Sequence, residues 1–184
     1  MIYEKEGQFP EAQWLWGRIA MDAEWGGEAL YSMAALSEEM GRPEEAVRFY
    51  TSIFTNSKIG SVMRYGEEGP GPKGTVMSAT FELDGQEFIA LNGGPMFTFS
   101  PAISFFVKCE TQAEVDHFWE KLSEDGEIQQ CGWLKDKYGV SWQIVPTVLG
   151  EMLADRDPEK ARRVMHAMLQ MKKLDIRGLE RAYG

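Results

Sequence analysis

The chain has 184 residues, 43% of them apolar and 12% aromatic, which suffices for the core of one domain or of two small repeats of one fold. Its formal charge of −10 and pI near 4.8 argue against attraction to phosphate backbones or anionic membrane surfaces, so neither nucleic acid nor a membrane is expected as a partner. No run approaches the ~18 apolar residues of a membrane span, the opening MIYEKEGQFPEAQ lacks the regions of a secretion signal, and Cys109 and Cys131 read as two reduced thiols, all of which point to a cytoplasmic protein.

The opening residues carry only helix signals. Glu11 to Ala23 and Gly27 to Met40 are rich in Ala, Leu, Met, Trp and Glu, with breaks at Gly26-Gly27 and Gly41-Arg42-Pro43. A further helix from Pro43 to Phe54 takes proline in its first turn and sets Ala46, Val47, Phe49, Tyr50, Ile53 and Phe54 on an apolar side. A 34-residue spacing links Gly7 to Gly41, Glu11 to Glu45, Ala12 to Ala46, Trp16 to Tyr50 and Ile19 to Ile53, and the small and large positions resemble those of a tetratricopeptide repeat. The alternative is a pair of amphipathic helices that share alanine and glycine by composition. Either way residues 1–43 form an N-terminal helical segment, too short for a solenoid but able to offer a docking surface to a protein partner.

From Lys58 the pattern changes to short strands, Lys58 to Tyr65, Thr75 to Leu83 and Glu87 to Leu91, separated by Gly69-Pro70-Gly71-Pro72 and Asp84-Gly85. A strand over Ala102 to Cys109 follows, then a helix from Gln112 to Ser123 opened by the capping box Thr111-Gln112-Ala113-Glu114. Strands near 127–131, 132–135 and 140–145 complete a βαβββ unit, the last two joined by the turn Asp136-Lys137-Tyr138-Gly139. The preceding half, helix then three strands, reads as the same unit without its first strand. The fold class is therefore α+β, with modules over 44–96 and 101–146 forming a repeat domain that ends in a helical tail, 147–184. In the tail Asp157-Pro158-Glu159 opens a helix with Val164, Met168, Leu169 and Met171 as its apolar stripe, and a short helix covers Ile176 to Tyr183.

Phe49-Tyr50-Thr51-Ser52-Ile53-Phe54, Phe81 to Phe88, Asn92-Gly93-Gly94-Pro95 and the hairpin CGWLKDKYGVSWQIVP from Cys131 occur in the order seen in a known family. The chain from about Glu44 to Tyr183 resembles the PhnB-like branch of the vicinal oxygen chelate superfamily, often labelled demethylubiquinone methyltransferase-like. The resemblance implies paired βαβββ modules whose curved sheets form a cup, frequently in a homodimer. Three departures stand out: the strand expected before the Glu44 helix is missing, Met96 occupies a place where relatives often carry histidine, and Gln143 stands where metal-dependent members place a glutamate. No glycine-rich loop of the strand-to-helix form accompanies the methyltransferase label, so no cofactor is expected.

Metal ligands are scarce. His117 and His166 both fall in helices, and Gln143 offers only a neutral amide oxygen, so no metal is expected. Cys131 could serve as a thiolate if a cation lowered its pKa, but no histidine is placed as its base, and a packed thiol explains it as well. Asp136 could act as acid or base, or simply hold its turn. The period of two puts Ser141 and Gln143 on the face opposite Trp142 and Ile144. A ligand cup would then be lined by Asn92, Phe105, Cys131, Trp133, Ser141 and Gln143, with Tyr65 as a further wall. Small-molecule binding or sequestration is the reading these residues favour. The alternatives are a metal-dependent lyase, isomerase or dioxygenase of the same superfamily, or a helical interaction module fused to such a domain.

Overall fold

Tyr50, Phe81 and Phe88 stack in sequence at centroid separations of 6.2 and 5.3 Å, and this column ties the first helix to the sheet beneath it. In a computed structural model of the chain, residues 31–34, 43–68, 71–92 and 98–184 are described. They fall into two compact units, one ending at Phe99 and the other starting at Ser100.

The first unit contains β1 (Tyr31–Ala34), α1 (Pro43–Ile53), β2 (Ser57–Arg64), β3 (Val76–Leu83) and β4 (Gln86–Leu91). Helix α1 buries Pro43, Ala46, Val47, Tyr50 and Ile53, the i, i+3, i+4, i+7 stripe of an amphipathic helix, against Ala79, Phe81, Phe88 and Ala90 of the sheet. Each large apolar side chain so removed from water contributes roughly 1.5–3 kcal/mol. Glu44 accepts from both Arg48 and Arg64, at 2.9 and 3.1 Å, which fastens the start of α1 to the end of β2.

The strand order is β1-β4-β3-β2, with β1 parallel to β4 and Tyr31 to Ala34 in register with Phe88 to Leu91. This corrects two expectations. A strand occupies residues 31–34 where the composition suggested a helix over 27–40, and the first module possesses the strand that it was expected to lack. Helix propensity is a weak bias, and a free parallel edge on β4 outweighs it by supplying hydrogen-bond partners to the backbone groups that face it. The module thus starts before residue 44, and the tetratricopeptide-like reading loses its helix across 31–34. The helix expected over 11–23, Met96 and most of the 34-residue spacing lie outside the described residues.

The second unit repeats the plan with β5 (Phe105–Cys109), α2 (Gln112–Leu122), β6 (Glu127–Ile128), β7 (Trp133–Lys135) and β8 (Ser141–Pro146), in the order β5-β8-β7-β6 with β5 parallel to β8. The capping box at Thr111 is formed, the Glu114 amide bonding Thr111 Oγ1 at 3.3 Å and Glu114 Oε2 accepting the Thr111 amide at 3.0 Å. Strand β5 begins at Phe105 rather than at Ala102, because 101–102 form a turn.

The tail is three helices: α3 (Thr147–Leu153), α4 (Pro158–Leu169) and α5 (Ile176–Tyr183). Asp157 and Asp175 cap the last two through bonds from the Glu159 and Gly178 amides. Leu149, Met152, Val164, Met168, Leu174 and Leu179 form one buried cluster, and Cys131 and Val145 of the module pack against it. Gln112 clasps the loop before α5, accepting from the Ile176 amide at 2.8 Å and donating to the Leu174 carbonyl at 3.2 Å. Among the described residues no helix is long and apolar enough to cross a membrane.

Candidate functional site: the sheet face of the second module opposite α2

The register of the second sheet sorts its side chains. Phe105, Val107 and Cys109 lie beside Trp142, Ile144 and Pro146, whereas Phe106 lies beside Gln143 and Lys108 beside Val145. Across the other neighbour, Trp133 pairs with Gln143, Lys135 with Ser141, and Leu134 with Trp142. Pairs in register point the same way, so one face holds Phe105, Val107, Leu134, Trp142 and Ile144 and is covered by α2 through Val115, Trp119 and Leu122. The opposite face holds Phe106, Lys108, Trp133, Lys135, Ser141 and Gln143.

Gln143 and Ser141 are both 3% exposed, and Trp133 is 5% exposed on the same face. Gln143 Nε2 donates to Ser104 Oγ at 2.9 Å, which fixes the orientation of the amide. Lys135 is paired with Glu127 at 2.7 Å, and this neighbour holds the Glu127 carboxyl below its usual range.

The six residues expected to line a cup do not assemble as one group. Trp133, Ser141 and Gln143 come together. Phe105 stands on the opposite face, its ring 5.2 Å from that of Trp142. Cys131 has φ of 59° and turns its side chain to the tail cluster, its amide bonding the Met171 carbonyl at 2.8 Å; burial pushes its thiol pKa up. Asn92 belongs to the first unit, where its side chain donates to the Val76 carbonyl at 3.3 Å and its own carbonyl accepts from Tyr65 Oη at 3.1 Å. Phe106 and Ser104 were not anticipated; the register of β5 against β8 is what brings them to Gln143.

Asp136 is 2% exposed and fully committed to its hairpin. Its Oδ1 accepts from the amides of Tyr138 and Val140 at 2.8 and 3.0 Å, and its Oδ2 from Trp142 Nε1 at 2.8 Å. A carboxylate so bonded is scaffolding for the strand that carries Gln143.

The donor set does not suit a divalent cation. Gln143 is a neutral amide engaged with Ser104, its partner on the parallel strand is the phenyl ring of Phe106, and the next residue on that strand and face is cationic Lys108. His117 and His166 are exposed on α2 and α4. Among the described residues no three His, Cys, Asp or Glu side chains gather as a metal site would require.

Residues 37–145 match the profile of the family described as 3-demethylubiquinone-9 3-methyltransferase. The chain belongs to that family. Its fold is similar to that of a solved PhnB protein from Bacillus cereus that carries the same description, with 42% identity and a TM-score of 0.57 over 66% of this chain and 99% of that one. A protein of known structure from Pseudomonas aeruginosa, PA1353, is 17% identical, with a TM-score of 0.50 over 64% of this chain and 93% of the other, and shares the fold alone. No curated protein matches the chain. The family match runs from shortly before α1 to Val145 in β8, so that β1 lies outside it at one end and α3, α4 and α5 at the other.

Proposed function

We propose that the chain binds or sequesters a small, partly apolar molecule at the Gln143 face of the second module, opposite α2, without a divalent metal. The observation that carries this reading is the pair Ser141 and Gln143, two polar side chains withdrawn from solvent on the same face as Trp133. Trp133 and Phe106 supply flat apolar contact, and Gln143 Oε1 and Ser141 Oγ orient one polar group of the ligand. The aromatic ring and lysine on β5 beside Gln143 and Val145 support the metal-free form of the reading, because neither can complete a cation's shell.

The full chain, purified without chelator, would be titrated with anilinonaphthalene sulfonate, an aromatic anion that fluoresces in apolar sites. Saturable binding that Trp133→Ala and Gln143→Leu weaken and EDTA leaves unchanged is expected. Stoichiometric tightly held metal, or binding abolished by EDTA and restored by a divalent ion, would sink the metal-free reading and favour a metal-dependent enzyme.

A further inference from the structure

Charge is distributed unevenly along this acidic chain. Residues 156–184 contain eight Lys and Arg against four Asp and Glu, although the formal charge of the whole is −10. Part of that excess gathers in a cleft of about 380 Å³ between α4 and α5, lined by Arg162, Arg163, His166, Ala167, Arg181 and Ala182. The hollow is broad and open to solvent, so a ligand there would be held by its charge rather than by enclosure.

The three guanidiniums differ in how they are held. Arg163 is pinned: its Nε and one terminal nitrogen donate to the carbonyls of Ala182 and Tyr183, both at 2.9 Å, at the C-terminal end of α5. That end of α5 is also anchored by the bond from Tyr183 Oη to Asp155 and by Lys160, whose Nζ lies 4.6 Å from the Tyr183 ring centre. The wall carrying Arg181 is therefore fixed relative to α4. Arg162 is engaged by Glu159 at 2.8 Å with both side chains well exposed, and Arg181 lies 3.5 Å from Asp175, also exposed. Exposed pairs of this kind hold their partners by about 0–1 kcal/mol, so an incoming anion displaces them readily. Phosphate oxygens match the guanidinium fork in two-pronged fashion, and His166 adds a ring nitrogen on the same wall as Arg162.

From this cluster we infer a second site, distinct from the Gln143 face: the cleft between α4 and α5 takes the phosphate group of a small soluble phosphorylated molecule, with Arg162 and Arg181 as its movable clamps and Arg163 as the fixed brace. The inference does not depend on what the Gln143 face binds.

Inorganic pyrophosphate is the probe, titrated into the isotopically labelled full chain at constant ionic strength while backbone amide and His166 ring resonances are followed. Saturable shifts confined to α4, α5 and His166 are expected, and Arg162→Gln with Arg181→Gln should weaken binding by at least about tenfold. Shifts spread over the chain without saturation, or an unchanged affinity in the double variant, would overturn the site. Should that variant lose helical circular dichroism, Arg162→Lys with Arg181→Lys keeps the charge but not the fork, and must still weaken binding for the inference to stand. A parallel arm tests sedimentation with phosphatidylcholine vesicles doped with phosphatidic acid; binding there without response to pyrophosphate would refute a soluble ligand in favour of a lipid headgroup.

Discussion

Replacing Gln143 by glutamate asks this buried face directly whether it can accept a carboxylate. The substitution is nearly isosteric, and Ser104 Oγ, now 2.9 Å from Nε2, can turn its hydroxyl to donate to the new oxygen. What changes is charge at a position that is 3% exposed, with Phe106 and Trp133 as its partners in register. Burial disfavours the ionised form and raises the folded-state pKa above the unfolded value near 4.3. A group of that kind keeps its full stability contribution below the unfolded pKa and loses it as pH rises to the folded pKa. A rise of about one to three units removes about 1.4–4 kcal/mol by neutral pH. Urea unfolding of Gln143→Glu and the parent, followed by tryptophan fluorescence, should show near-equal stability near pH 3, below the unfolded pKa, and a deficit that grows from about pH 4 to about pH 8. No deficit at pH 8 in metal-free buffer would mean that a cationic group already serves this position, and the argument from the poverty of the donor set would fall. Recovery of stability on adding a divalent ion would point the same way.

Asp136→Ala strands two backbone amides and the indole N–H of Trp142, so denaturant unfolding should show a loss on the order of 3–5 kcal/mol, with Asp136→Asn losing less because it retains one acceptor oxygen. Gly132 has φ of 82°, and a Cβ there would come within 2.7 Å of the Ile144 carbonyl oxygen; Gly132→Ala should lower the thermal midpoint, and an unchanged midpoint would contradict the close approach of 132 to β8. Both thiols should alkylate more slowly with iodoacetamide at neutral pH than a free cysteine does, because burial pushes both pKa values up, that of Cys109 to about 12 with Glu114 and Glu110 adding to it. Cys109 is raised in the folded state, so its contribution is intact below the ordinary thiol pKa and declines as pH climbs toward 12; stability curves at alkaline pH should decline less steeply for Cys109→Ala than for the parent.

The second module was legible because its signals are local. The Thr111 box, the Asp136 turn with its glycine, and the alternation of Ser141 to Ile144 all act within a few residues, and the structure keeps them. Strand β1 was not legible, since Tyr31–Ala34 is extended by virtue of pairing with Phe88 to Leu91, more than fifty residues along the chain. Helix α3 carries little local signal for a related reason. Thr147–Leu153 has no side-chain cap at Pro146 and contains Gly150, and its helix is stabilised by packing Leu149 and Met152 into the tail cluster. For the site, the faces of β8 followed from its own period of two. The placement of Phe105, Phe106 and Cys131 depended on β5 register and on the tail.

In both modules the first strand lies beside the last and parallel to it, and this adjacency governs what chemistry the scaffold can carry. Side chains in register on two parallel neighbours point to one side, and the pair β5 and β8 is where two donors could converge on a single atom. In the second module that pair is Phe106 with Gln143, one aromatic ring and one amide, followed by Lys108 with Val145. An aromatic partner turns the spot into a surface for flat apolar groups, and the nearby ammonium repels a cation while tolerating an anion. The fold supplies the convergence, but the residues placed there, a ring and an amide with an ammonium nearby, are not the donors a cation needs.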